Sequence, residues 1–231
     1  MDILYYIGSG SHHNNQELRY SLRSLEKHCQ DIDDVWIVGN KPHFLNDKVK
    51  YLWVEDDNFW WQSAYTKTRA AIEAGIGADF LLMNDDFFML KDFTATDYPY
   101  YHKGEMPEVA QNKYQKVIVN TKRILRNLHK PTKHYGVHCP MRINGEKYKK
   151  LEMFYGEPVS ARCLYGNIFC QGMEIKDNKC EDLQDSISGC FSTREWVNKA
   201  LFAKLAELFP MPSRWEKENE YNERRKLWIG D

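Results

Sequence analysis

No stretch of this 231-residue chain approaches the roughly 18 apolar residues of a membrane-spanning helix, and Met1-Asp2-Ile3-Leu4 carries no basic leader. A cytoplasmic protein without a membrane span is the expectation. Cysteine is scarce: Cys29, Cys139, Cys163, Cys170, Cys180 and Cys190 form no Cys-x-x-Cys pair and no zinc-ligand spacing. They read as free, mostly buried thiols rather than a disulfide framework. Internal repeats and flexible linkers are absent too, so residues 1–231 read as one domain. Net charge is also missing, with 32 basic against 33 acidic side chains.

Aromatic residues, by contrast, are plentiful (7 Trp, 14 Tyr, 11 Phe), which suits the stacking of rings or sugars and equally a large mixed core. Charge is balanced overall but not locally. Between Lys113 and Lys150 there are eleven Lys or Arg against Glu146 alone, about +10 against about −11 for the remainder. Such asymmetry points to a polyanionic partner at one face, DNA or an anionic glycan.

The pattern of the first 93 residues is regular. Asp2–Gly8 reads as a buried strand ended by Gly8-Ser9-Gly10-Ser11. A helix follows, capped by Asn14 or Asn15, with Leu18, Leu22 and Leu25 on one face and Arg19, Arg23 and Lys27 on another. Asp34–Gly39 and Lys48–Val54 are two further strands, Ser63–Ala74 is a helix stopped by Gly75 and Gly77, and Phe80–Met83 is a fourth strand. This order predicts an α/β fold with a mixed, largely parallel sheet flanked by helices. In such sheets ligands bind at the carboxyl ends of the strands, so Gly8–Ser11 and Asn84–Asp86 are expected to share a crevice. Beyond Phe93 the chain is less regular: a basic helix is expected over Lys113–Leu128 and an amphipathic one over Thr193–Phe209, before a charged tail.

Phe80-Leu81-Leu82-Met83-Asn84-Asp85-Asp86-Phe87-Phe88 sets two adjacent carboxylates against apolar residues on both sides. Desolvation and mutual repulsion oppose their ionisation unless a cation neutralises them. Mn²⁺ or Mg²⁺, bridging to the phosphates of a nucleotide sugar, is the expected partner, with Asp86 as direct ligand and Asp85 through water or on the ribose. His138, in a loop fixed by Gly136 and Pro140, is the expected nitrogen ligand, with His134 as substitute. Gly8, Ser9 and Gly10, with Arg19, Lys67 and Arg162, are expected to receive the donor and its diphosphate. For the acceptor base, Asp182, Asp185 and Glu157 remain open.

Three segments carry a resemblance: Glu17-Leu18-Arg19-Tyr20-Ser21-Leu22-Arg23-Ser24-Leu25-Glu26-Lys27, Val35-Trp36-Ile37-Val38-Gly39-Asn40-x-Pro42, and Phe80 to Phe88. Together they resemble the second conserved region of Stealth proteins, sugar-phosphate transferases of capsule synthesis whose core is similar to GT-A glycosyltransferases. His138-Cys139-Pro140-Met141-Arg142 is similar to that family's third region. The whole chain, with its Phe209-Pro210-x-Pro212-Ser213-Arg214-Trp215-Glu216 ending, also resembles short stand-alone GT-A-type proteins of phages and bacteria. The resemblance implies a GT-A-like core over 1–93, an acceptor-side half over 94–231, and a nucleotide-sugar donor, a UDP-sugar foremost. Stealth proteins carry an early aspartate where this chain has Tyr5-Tyr6-Ile7-Gly8-Ser9-Gly10-Ser11. The expectation is therefore glycosyl transfer to an acceptor hydroxyl, such as a hydroxymethylated pyrimidine in phage DNA or an anionic glycan. Sugar-1-phosphate transfer and a non-catalytic binding module are the alternatives.

Overall fold

The computed structural model describes residues 1–9, 14–180, 183, 186–193 and 199–217. The first half runs β1 (Asp2–Ile7), α1 (Gln16–His28), β2 (Val35–Gly39), β3 (Lys50–Leu52), α2 (Trp60–Glu73), β4 (Asp79–Met83) and β5 (Phe87–Met89). The second runs β6 (Tyr101–His102), α3 (Lys113–Asn127), β7 (Met141–Asn144), α4 (Gly145–Lys149), α5 (Ala161–Phe169), β8 (Met173–Glu174), β9 (Lys179–Cys180), β10 (Cys190–Thr193) and α6 (Lys199–Leu208).

The central sheet has the order β3-β2-β1-β4-β7, parallel except for β7, which runs antiparallel to β4. Side chains alternate across it, so each face builds its own core. Ile3, Tyr5, Ile7, Leu81 and Met83 meet Leu18, Leu22 and Leu25 of α1. Leu4, Phe80 and Leu82 meet Tyr65, Ile118 and Leu164 of α2, α3 and α5 on the other face. Each such side chain contributes about 1.5–3 kcal/mol on burial, which concentrates stability in β1 and β4.

Gly39 shows how tightly the strand ends are drawn together. Its φ is 109°, and an added Cβ would lie 2.1 Å from the Ile7 carbonyl oxygen and 2.9 Å from Lys67 Nζ. Only glycine leaves room there for Lys67 to reach the end of β1.

A smaller sheet, β5-β10-β9, extends the chain beyond the carboxylates, with β10 antiparallel to β5 and parallel to β9. This corrects the expected Thr193–Phe209 helix: Thr193 ends β10, paired with Cys180, and α6 spans Lys199–Leu208. Trp196 and Val197 lie outside the described residues. Leu201 and Leu205 are buried as expected, but Leu208 is exposed and Phe209 fills the core instead.

The basic segment also folds differently from its linear reading. Lys122 and Arg126 pair with Glu108, Lys133 with Glu105 and Lys149 with Glu146. Glu105 and Glu108, from outside the segment, thus cancel part of the charge that suggested a polyanionic partner. The six cysteines are free thiols, and among the described residues no helix is long and apolar enough to cross a membrane.

Candidate active site

β1 and β4 are hydrogen-bonded neighbours at the middle of the sheet, with β2 on the far side of β1 and β7 on the far side of β4. This is the switch point at which parallel α/β sheets open a crevice. The register Tyr5↔Met83 sets the next residues, Tyr6 and Asn84, side by side, and Tyr6 Oη donates to Asn84 Oδ1 at 3.0 Å. The Gly8–Ser9 end of β1 and the Asn84–Asp86 end of β4 therefore lie at one edge, as the sequence led us to expect.

The carboxylate turn is held from three directions. The Phe87 amide closes it onto the Asn84 carbonyl at 3.2 Å. Ser192 Oγ, on β10 opposite Phe87, donates to Asp86 Oδ2 at 2.6 Å. From α1, Ser21 Oγ donates to the Phe87 carbonyl at 2.6 Å, and Ser24 Oγ accepts from the Met89 amide at 2.9 Å. Because the Ser21 proton is spent on Phe87, Tyr5 Oη must be the donor in its 2.9 Å contact with Ser21 Oγ. The serines of the α1 motif thus fix the strand that follows the two aspartates.

Burial raises the Asp85 carboxyl well above the ordinary carboxylate range, and the charges of Asp86 and Glu17 add to the shift. Glu17 Oε2 is itself buried without a hydrogen-bond partner among the described residues. Three acids within electrostatic reach, one with an orphaned oxygen, form an environment that a divalent cation would relieve. Among the described residues no three His, Cys, Asp or Glu side chains converge closely enough to enclose an ion. Asp85 and Asp86 alone suit only a hard cation that keeps waters and takes one or two carboxylates plus ligand phosphates.

Arg162, on α5, acts differently from its expected phosphate role. Its Nε donates to the Tyr135 carbonyl at 2.8 Å, and its Nη2 donates to the carbonyls of Val137 (3.4 Å) and Cys139. It braces the loop that carries His138, and its charge acts on Tyr6 alongside those of Asp85 and Asp86. His138 Nδ1 lies 2.7 Å from Asp177 Oδ1, and Lys103 pairs with the same carboxylate. Burial alone would raise Asp177, but the hydrogen bonds and charges of His138 and Lys103 hold it well below the usual range.

Two further expectations are corrected. Arg19 is buried against Glu216 at 2.7 Å with its guanidinium 4.2 Å from the Phe44 ring centroid, so it serves the C-terminal segment rather than a diphosphate. Lys67 Nζ donates to the Ile7 carbonyl at 2.8 Å and pairs with Asp56, whose Oδ2 accepts from Ser9 N and Oγ, each at 3.0 Å. Lys67 thus sets the shape of the Gly8–Ser9 loop through Asp56. Glu157 is exposed in a cleft beside Trp61 and Tyr155. Gly10, Asp182 and Asp185 lie outside the described residues.

Sequence reasoning missed Tyr6, Asp56, Asp177 and Ser192, and named Glu17 only as part of a motif. Alternation along β1 could have paired Tyr6 with the strand-end asparagine. No local pattern marks Asp177 or Ser192, whose partners are distant in sequence.

His134 is buried, and its Nδ1 accepts from the Gly136 amide at 3.1 Å. Burial pushes its imidazole down to about 4, with the charge of Lys103 acting in the same direction. It supports the loop as a neutral ring. The unfolded chain protonates this histidine first, near pH 6.5, so its contribution is full above that pH and falls as pH drops toward 4. Denaturant titrations at pH 7.5 and 4.5 should show the wild type losing up to about 3 kcal/mol more than His134→Gln.

The chain is similar to a crystal structure of an active-site mutant of LgtC: TM-score 0.50, 11% identity, 93% of this chain and 98% of that one covered. The fold is GT-A. A second LgtC structure, described as a galactosyltransferase with donor and acceptor sugar analogs, aligns at TM-score 0.38 and 12% identity over 65% of this chain and 60% of that one. No protein-family model matches. Part of the GT-A chain is similar to the N-acetylglucosamine-1-phosphotransferase subunits alpha/beta of Mus musculus, 32% identical over 103 residues, 40% of this chain. The Homo sapiens protein of that name is 31% identical over 110 residues, 43% of this chain. The matches span only 8% and 9% of those longer relatives.

Proposed function

We propose that this chain is a metal-dependent glycosyltransferase that moves a sugar from a nucleotide-sugar donor to an acceptor hydroxyl. One observation carries the reading: the Asn84–Asp86 turn and the Gly8–Ser9 loop end adjacent strands at the switch point of a GT-A fold. Asp86, oriented by Ser192, and Asp85 would hold Mn²⁺ or Mg²⁺, with water and the donor's phosphates completing the shell; His138 does not converge with them. Asp177 engages His138 Nδ1 and leaves Nε2 as the nitrogen that would meet the donor or acceptor. The bound cation supplies Lewis-acid stabilisation of the departing diphosphate, worth several kcal/mol. Tyr6 orients the Asn84 amide, whose nitrogen can donate to the donor. Gly8 and Ser9, held by Asp56, would flank the nucleoside, a UDP-sugar being the foremost choice. Glu157, at the rim of its cleft, would receive the acceptor proton.

Sugar-1-phosphate transfer is the second reading, favoured by the similarity to the phosphotransferase subunits. The two reactions differ in which bond breaks. Glycosyl transfer cleaves the anomeric C–O bond and releases a nucleoside diphosphate, whereas sugar-phosphate transfer cleaves the pyrophosphate and releases a monophosphate. Incubation with Mn²⁺ and a panel of UDP-sugars and glycan acceptors should yield UDP, and EDTA should abolish it. UMP with a retained phosphodiester would establish the second reading instead.

A further inference from the structure

We propose that an exposed aromatic shelf beside the crevice is a carbohydrate subsite taking an uncharged pyranose ring of the acceptor; it rests on the transferase reading above and gives that reading its acceptor class. The shelf is built where two helices begin. Trp60, the first residue of α2, stacks on Tyr114 near the start of α3, with ring centroids 5.4 Å apart and planes at 27°. Behind them Phe59 stacks on Trp61 at 4.5 Å. The rings stand open to solvent: Trp60 is 46% exposed, Phe59 51%, Tyr114 39% and Tyr155 55%.

Open rings of this size forgo much of the roughly 1.5–3 kcal/mol each would gain by burial, so the fold alone gives no reason to keep them there. Their placement supplies one. Tyr114 stacks on His134 with ring centroids 6.3 Å apart, and its hydroxyl would lie 2.8 Å from a Cβ added at Gly136. The shelf therefore abuts the loop that carries His138. A cleft lined by Trp61, Gln62, Phe154, Tyr155 and Glu157 carries it outward, and Gln62 Nε2 donates to Tyr155 Oη at 3.3 Å across its rim.

A pyranose has the matching two-sided chemistry. One face presents C–H bonds that lie flat against an aromatic ring, and the edge presents hydroxyls for amide, carboxylate and phenol groups. Flat rings with a few polar groups at the margin are the makings of a small-molecule site. A nucleobase could also stack on such rings. The donor's base, however, already has its expected place at the Gly8–Ser9 end of the crevice, beside Asp56.

Wild type, Trp60→Ala and Trp60→Phe would be applied to a glycan array bearing neutral N-acetylglucosamine-, galactose- and mannose-terminated oligosaccharides. Binding of UDP with Mn²⁺ would be measured separately by calorimetry. Wild type should be retained by a subset of glycans, Trp60→Ala should weaken that retention about tenfold or more, and Trp60→Phe should restore most of it. No retention of the wild type, or equal retention of Trp60→Ala, overturns the subsite. UDP-dependent quenching of tryptophan fluorescence that disappears in Trp60→Ala also overturns it, by assigning the shelf to the nucleobase. Protein that binds glycans but not UDP with Mn²⁺ keeps the subsite and overturns the transferase reading, so the two failures are distinct.

Discussion

Glu216→Ala should cost the fold about 3–5 kcal/mol, the range expected when one member of a buried charge cluster is removed. The Glu216 carboxylate is 1% exposed and accepts from Arg19 Nη1 at 2.7 Å, Arg23 Nε at 2.7 Å and Arg23 Nη2 at 2.8 Å. The Ser213 amide adds a fourth bond at 2.9 Å. The arginines lie one turn apart on α1, so a single carboxylate serves both. Removing it takes from two buried arginines the carboxylate they share, beside Phe44 and the Phe209 carbonyl. In a chain of this size the midpoint of thermal unfolding should fall by roughly 10 °C. A loss below about 1 kcal/mol would mean that the cluster is solvated like an ordinary surface pair.

Asp86→Asn should reduce transfer by about 10²- to 10⁴-fold, the kinetic equivalent of several kcal/mol of cation-mediated stabilisation. The isosteric amide can still accept from Ser192 Oγ, so the turn keeps its shape and thermal stability should change little. Steady-state rates with saturating Mn²⁺, read against unfolding curves, separate the two effects. Transfer within tenfold of wild type would remove Asp86 from the metal site. Ser192→Ala should give a smaller loss, because it frees the carboxylate to rotate without removing it.

The parallel half of the fold was legible because its physics is local. Unbroken apolar runs such as Ile3–Ile7 and Phe80–Met83 mark strands buried on both faces, and glycines close the elements between them. The adjacency of the two strand ends followed from the order of those strands. The charged residues were a different matter. Arg19 and Arg23 at i, i+4 spacing look the same in sequence whether they await a phosphate or a carboxylate, and their partner lies 197 and 193 positions away. Lys67 was expected at the donor's diphosphate, yet it pairs with Asp56, which no motif flags. The basic run misled for a related reason: a count along the chain cannot register that Glu105 and Glu108 fold back onto it. Distant pairings decided what each charge does.

The two aspartates sit at a seam. Behind them is β4 in the large parallel sheet; ahead is β5, whose partner β10 arrives only about a hundred residues later and brings the serine that grips Asp86. As the polypeptide leaves the ribosome, the strand bearing the carboxylates can dock long before its clasp exists. Under the proposed reading, a cation site on Asp86 would reach its final geometry only in chains synthesised past Ser192.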